Sequence, residues 1–172
     1  AEPAGAGERA APAAEGLPAP VTRKVPDFDT PEARRRVLDT APLLDSLSAA
    51  ERDTLAAQMA LLQAPRGHAV VLRGAAGRSM FVLAAGVAEV LVPDAEGAPR
   101  RATVLGPGDS FGEMSLLTGA ERSADVRAVT PLVLFEIGAD ALAPLLALRP
   151  ALADALSRAA AEHEQSDAQL RQ

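Results

Sequence analysis

The stretch from Pro65 to Gly138 constrains the fold more than any other part of the chain. Short apolar runs recur there: His68–Arg73, Ser79–Ala84, Val87–Val92, Arg101–Leu105, Ala124–Val129 and Leu132–Ile137. Between them stand Gly67, Gly74 and Gly77, Gly86, the turn Asp94–Pro99, and Gly106-Pro107-Gly108-Asp109. Evenly spaced short strands separated by turn residues indicate a sandwich, barrel or jelly roll.

Helical patterns flank this region. Thr30-Pro31-Glu32 reads as an N-cap with Pro at the first helical position. Pro42 breaks that helix. Ser48 with Glu51 three residues on forms a capping box, and Leu55, Met59 and Leu62 at helical spacing predict a second helix running to Leu62. After Gly138 the helical period returns over Ala139–Leu148. Pro150 interrupts it, and Ala151 to about His163 reads as another helix with a polar end. The predicted fold class is α+β: an antiparallel, jelly-roll-like β-roll over about 65–137, N-terminal helices before it and two C-terminal helices over about 139–168. Residues 1–29, opening AEPAGAGERAAPAAEGLPAP, are rich in Ala, Pro, Gly and Glu and are expected to be a flexible linker. Residues 30–172 are expected to be one domain. A linker implies a covalently attached N-terminal partner domain, and a chain that starts with Ala is expected to be a processed product or a piece of a longer protein.

Several function classes fit poorly. The chain of 172 residues carries a formal net charge of -6 and only 2% aromatic residues. A surface that stacks nucleic-acid bases leans on aromatics, and a duplex-binding face is usually basic. No nucleic-acid partner is therefore expected. There is no Cys, which removes disulfides, thiolate catalysis and Cys-ligated zinc. The two histidines, His68 and His163, are far apart, so a His-rich metal site is not expected. No run of 18 apolar residues predicts a membrane span, and no secretory signal is visible.

The segment FGEMSLLTGAERSADVRA, Phe111–Ala128, departs from a plain strand meander. It predicts one or two helical turns over Gly112–Leu117, ended by Gly119 and followed by Arg122-Ser123-Ala124. A helix start offers unpaired amides and a positive dipole end, and Gly there lets an anion approach the backbone. Arg122 adds a planar fork of donors suited to two phosphate oxygens, and Ser123 adds a hydroxyl. Glu113 would repel a bare phosphate but accepts hydrogen bonds from sugar hydroxyls. A 3′,5′-cyclic nucleotide, with one anionic phosphate beside a free 2′-hydroxyl, satisfies all four features.

This segment resembles the phosphate-binding cassette of the cyclic-nucleotide-binding domain family. The nine-residue step from Glu113 to Arg122 is similar to that of protein kinase A regulatory subunits and cyclic-nucleotide-gated channels. The resemblance runs from about Leu43 to His163 and includes Gly67, Gly74, Gly86, Gly108, Gly112, Gly119 and the approach LGPGDSFGE. It implies backbone contacts from Gly112 and Met114, ribose binding by Glu113, and phosphate pairing by Arg122 with Ser123 and the Ala124 backbone. It places Val90 and Thr103 along the base pocket, and His163 near a base-stacking residue on a lid formed by the last helix. Glu121 departs from the Pro that many members carry there.

The resemblance implies a regulatory domain without catalysis and without cofactors. The ligand expected is cAMP, with cGMP the alternative; Ser123 is a weaker form of the hydroxyl that favours cGMP in this family. An Ala-rich composition suggests a GC-rich bacterial genome. The expected context is the cytosolic domain of a bacterial membrane channel whose pore precedes it, oligomeric through that partner; a cytoplasmic protein is the general expectation. The competing readings are the sensor of a catabolite-activator-like regulator, a cupin-type metal enzyme, and a roll that binds only protein. The chain ends about where a DNA-binding element would begin in the first of these, and two isolated histidines disfavour the second. For Arg34-Arg35-Arg36 a solvated helix face is expected rather than a polyanion contact.

Overall fold

A computed structural model describes residues 19–20 and 28–170, with side chains described from 28 to 162. Thr30 caps α1 (Pro31–Thr40), its hydroxyl accepting from the Ala33 amide. A 3-10 turn, Pro42–Leu44, leads to α2 (Ala49–Gln58), where Ser48 and Glu51 close the capping box in both directions. Nearly all of the expected linker, 1–29, lies outside the described residues. Within it β1 (Ala19–Pro20) pairs antiparallel with β2 (Ala60–Ala64).

β2 corrects the expectation of a helix to Leu62. The α2 helix ends at Gln58, Met59 is already extended, and Leu61 to Ala64 lie in a strand that pairs with β9 (Leu132–Gly138). No Gly or Pro marks that stop. It is set from a distance: Arg34 on α1 donates through Nη1 to the carbonyls of Ala56 and Met59, at 3.0 and 2.6 Å. A guanidinium on the last carbonyls satisfies acceptors that the helix leaves open.

The remaining strands are β3 (Ala69–Val71), β4 (Ser79–Ala85), β5 (Ala88–Pro93), β6 (Pro99–Leu105), β7 (Ser110–Phe111) and β8 (Asp125–Ala128). One sheet has the order β1-β2-β9-β4-β7 and the other β3-β8-β5-β6, with antiparallel pairing throughout. The short α3 (Glu113–Thr118) sits between β7 and β8. The chain then forms α4 (Ala139–Leu148) and α5 (Pro150–Leu170).

The period of two along β4 sorts its side chains between two cores. Phe81 and Leu83 join Leu134, Val126 and Phe111 between the sheets, whereas Met80 and Val82 join Phe135, Ile137 and the helices on the outer face. On that outer side Leu38, Leu55, Leu142, Leu152 and Leu156 are fully buried. The α4–α5 junction is tied to α2 by Arg149, which contacts the capping-box carboxylate of Glu51 at 2.8 Å. That ion pair and the Ser48 amide hold the Glu51 carboxyl at about 2, well below its ordinary 4.5.

Of the arginine run, Arg34 and Arg35 are taken up in contacts within the helical layer, with Asp29 for the first and with Asp39 and Asp53 for the second. Arg36 is exposed. Among the described residues no helix is long and apolar enough to cross a membrane, and no cluster of His, Asp and Glu is placed to hold a metal.

Candidate functional site

β7 delivers the chain to Gly112, and the sequence there folds as it does because Gly112 adopts φ +87. That left-handed conformation turns strand into helix in a single residue, and side-chain-bearing residues rarely adopt it. A Cβ at Gly112 would also stand 2.8 Å from Arg122 Nη1 and 3.0 Å from the Ser79 carbonyl oxygen. α3 then begins at Glu113 and ends at Gly119, φ +72. Its first amides have no acceptor within the helix by geometry.

A cavity of about 470 Å³ opens against this turn. Small-ligand sites commonly span roughly 300–1,000 Å³. Gly112, Glu113 and Met114 line it from α3, Arg122, Ser123 and Ala124 from the segment before β8, and Val90 and Thr103 from the β5–β6 hairpin. The structure therefore brings together eight of the nine residues singled out from the sequence. The ninth, His163, falls in α5, but its side chain lies outside the described residues. Two residues one turn and one position earlier, Ala159 and Glu162, reach the cavity wall. The last helix thus covers the cavity, packed against both α3 and the hairpin.

Arg122 is 7% exposed and Glu113 only 1%. Arg122 Nη1 donates to the Ser79 carbonyl at 2.8 Å and to the Gly112 carbonyl at 3.3 Å. Its Nη2 donates to the Ser79 hydroxyl at 3.2 Å. The guanidinium lies 5.5 Å from the Phe81 ring centre, and Phe81 stacks on Phe111. The backbone of Arg122 is fixed as well: its amide donates to the Ala75 carbonyl, and the Gly74 amide donates to its carbonyl.

Gly77 covers the guanidinium. A Cβ there would lie 2.6 Å from Nη2, 2.8 Å from Nε and 2.9 Å from Cζ. Nη2 and Nε are nearer than Cζ, so that Cβ would stand out of the plane and obliquely above the Nε–Nη2 side of the group. Nε–H and the second Nη2–H, which point along one edge, carry no hydrogen bond among the described residues. Such an edge matches two oxygens of one phosphate or carboxylate. Burial lowers the pKa of Arg122, and the charge of Glu136 opposes that effect; a guanidinium in this setting stays protonated.

Glu121 is exposed, and among the described residues it forms no ion pair with Arg122. Ser79, Glu136 and Gly77 are the contributors that sequence reasoning missed. Ser79 and Glu136 meet only through pairing of β4 with β9, where the Ser79 hydroxyl donates to Glu136 at 2.8 Å. Gly77 carried a signal as a turn residue, but nothing local marks the guanidinium beneath it.

Residues 61–149, just over half of the chain, match the family model described as the cyclic nucleotide-binding domain. The cAMP-dependent protein kinase regulatory subunit of Aspergillus fumigatus is 34% identical over 69% of this chain and 29% of its own length. The CRP-like cAMP-activated global transcriptional regulator of Mycobacterium tuberculosis is 26% identical over 71% of this chain and 54% of its length. The crystal structure of a cyclic nucleotide-binding domain from Methylobacillus flagellatus superposes with a TM-score of 0.64 at 25% identity, covering 81% of this chain and 82% of that one. The chain spans under a third of the length of the kinase regulatory subunit and about half of the transcriptional regulator.

Proposed function

The chain belongs to the cyclic nucleotide-binding domain family, and from that membership we propose that its cavity binds cAMP in preference to cGMP and that binding regulates an attached effector domain. The observation that carries this reading is the open Nε–Nη2 edge of a buried Arg122, lining the same cavity as the start of α3 and Glu113. The ring phosphate sits on that edge and on the backbone amides of Gly112 and Met114, with Ser123 and the Ala124 backbone beside it. Glu113 takes the ribose 2′-hydroxyl. The base lies toward Val90 and Thr103 under α5, with His163 as its cap.

Regulation follows from differential affinity. A ligand that draws α3 toward its phosphate also bears on α5, because the two helices pack together. Only a ligand that binds one arrangement of these helices better than another shifts their equilibrium. The residues named bind and orient; none is assigned a chemical step, and the reading is of a regulatory domain with no cofactor.

The names of the kinase subunit and the mycobacterial regulator, both tied to cAMP, support that nucleotide. They also support an effector of the kinase or transcription-regulator kind. The channel pore expected from the sequence draws no support from these relatives, and the sensor of a transcription regulator is the second reading. A cytoplasmic setting accords with either. Calorimetric titration with cAMP, cGMP and a cyclic dinucleotide tests the proposal. Micromolar or tighter binding of cAMP, with cGMP weaker, is expected; no heat with either mononucleotide overturns it.

A further inference from the structure

We infer that Ser79 and Glu136 are positioning residues, which together hold the Arg122 guanidinium so that its Nε–Nη2 edge faces the cavity. The inference rests on the reading of Arg122 as the phosphate partner. It goes beyond that reading by assigning Arg122 its orientation and its counter-charge.

Ser79 takes one whole end of the guanidinium. Its carbonyl accepts from Nη1 and its hydroxyl from Nη2, while the Gly112 carbonyl takes the other Nη1–H. Three of the five N–H groups are thereby committed to the protein, and the two left lie on a single edge. A neutral hydroxyl has one proton and two lone pairs. Ser79 gives its proton to Glu136 Oε2 at 2.8 Å, so its lone pairs are the groups left to face Arg122. Without Glu136 that hydroxyl is free to turn its proton toward the cation, where it repels.

The sheet sets this relay. Ser79 stands opposite Gly138 and Phe81 opposite Glu136, so Ser79, Phe81 and Glu136 share one face, the face on which the guanidinium rests. Among the described residues no carboxylate lies within ion-pair distance of Arg122. That spacing has a consequence for binding. A carboxylate directly on the guanidinium would occupy the donors a phosphate needs. One hydroxyl away, Glu136 balances a buried cation and fixes its orientation while the fork stays open.

A double-mutant cycle tests this, with cAMP as the probe. Ser79→Ala should weaken cAMP about ten-fold, the effect of one lost hydrogen bond to a charged group. In an Arg122→Ala background the same change should add nothing, and adenosine, which lacks the phosphate, should bind Ser79→Ala and the parent alike. Glu136→Ala should follow Ser79→Ala, whereas Glu136→Gln, which keeps an acceptor for the hydroxyl, should recover part of the loss. In ligand-free protein the Arg122 Nε–H signal in a nitrogen-15 spectrum should move in Ser79→Ala and Glu136→Ala, and less in Glu136→Gln. Full cAMP affinity in Ser79→Ala, an additive loss on top of Arg122→Ala, or an unmoved Arg122 signal would overturn the positioning role. Full cAMP affinity in Arg122→Ala would instead remove the phosphate reading beneath it.

Discussion

Adding one methyl at Gly77 should separate binding from stability. Gly77 is not one of the positive-φ glycines, so Ala fits its backbone. The new Cβ would stand 2.6 Å from Arg122 Nη2, whereas ordinary contact begins at 3.4 Å. The guanidinium therefore has to move by about 0.8 Å. A shift of that size pushes Nη2 and Nε back from the edge on which the proposed phosphate sits, and so weakens or breaks one of its hydrogen bonds. Losing one hydrogen bond to a charged group, about 1.5–3 kcal/mol, corresponds to a fall in cAMP affinity of about 10- to 150-fold. Stability should hold, or rise by about 0.4–1 kcal/mol, because Ala restricts the unfolded chain more than Gly does. Calorimetric titration and urea unfolding of Gly77→Ala read the two quantities separately. A variant that binds cAMP as tightly as the parent, or one that loses binding only because it unfolds, would refute the reasoning.

Three further outcomes follow from the structure. Glu113→Gln should weaken cAMP more than 2′-deoxy-cAMP in competition titrations, since only the first offers the hydroxyl; equal losses would remove Glu113 from the sugar. Phe135→Ala, which empties a fully buried site under the Arg34 guanidinium, should cost about 3–5 kcal/mol in urea unfolding, and a loss below about 1 kcal/mol would contradict the packing. The Glu51 carboxyl is held at about 2 against an ordinary 4.5, first by Arg149. A depressed acid stabilises fully above its unfolded pKa and loses that contribution as the pH falls toward the folded one. The gap in urea midpoint between the parent and Glu51→Gln should therefore be widest near neutral pH and shrink below about 4.5; a gap constant with pH would show that the Arg149 contact contributes nothing.

The parts of the fold legible in the sequence are those fixed by neighbours along the chain. The Ser48–Glu51 box, the Thr30 cap, the break at Pro150 and the glycine turns all depend on residues within a few positions, and the observed elements start and stop there. The run of residues at α3 was legible for the same reason, since Gly112, Glu113 and Arg122 lie in one short segment that wraps a single turn. The features missed are held from far away. Ala60 to Leu62 looked helical because nothing local forbids a helix; an arginine 22 positions before Ala56 ends α2, and β9 recruits the following residues as a strand. Ser79 and Glu136 are 57 positions apart and meet only once β4 and β9 pair. Charge counting could not find them, because neither residue faces the cavity as a ligand group.

The phosphate grip of Arg122 is tested most directly by calorimetric titration of Arg122→Ala with cAMP beside the parent protein. Truncating one side of a desolvated charge pair should remove about 2–5 kcal/mol of binding while the fold persists. Unchanged affinity in a folded Arg122→Ala variant would contradict the account.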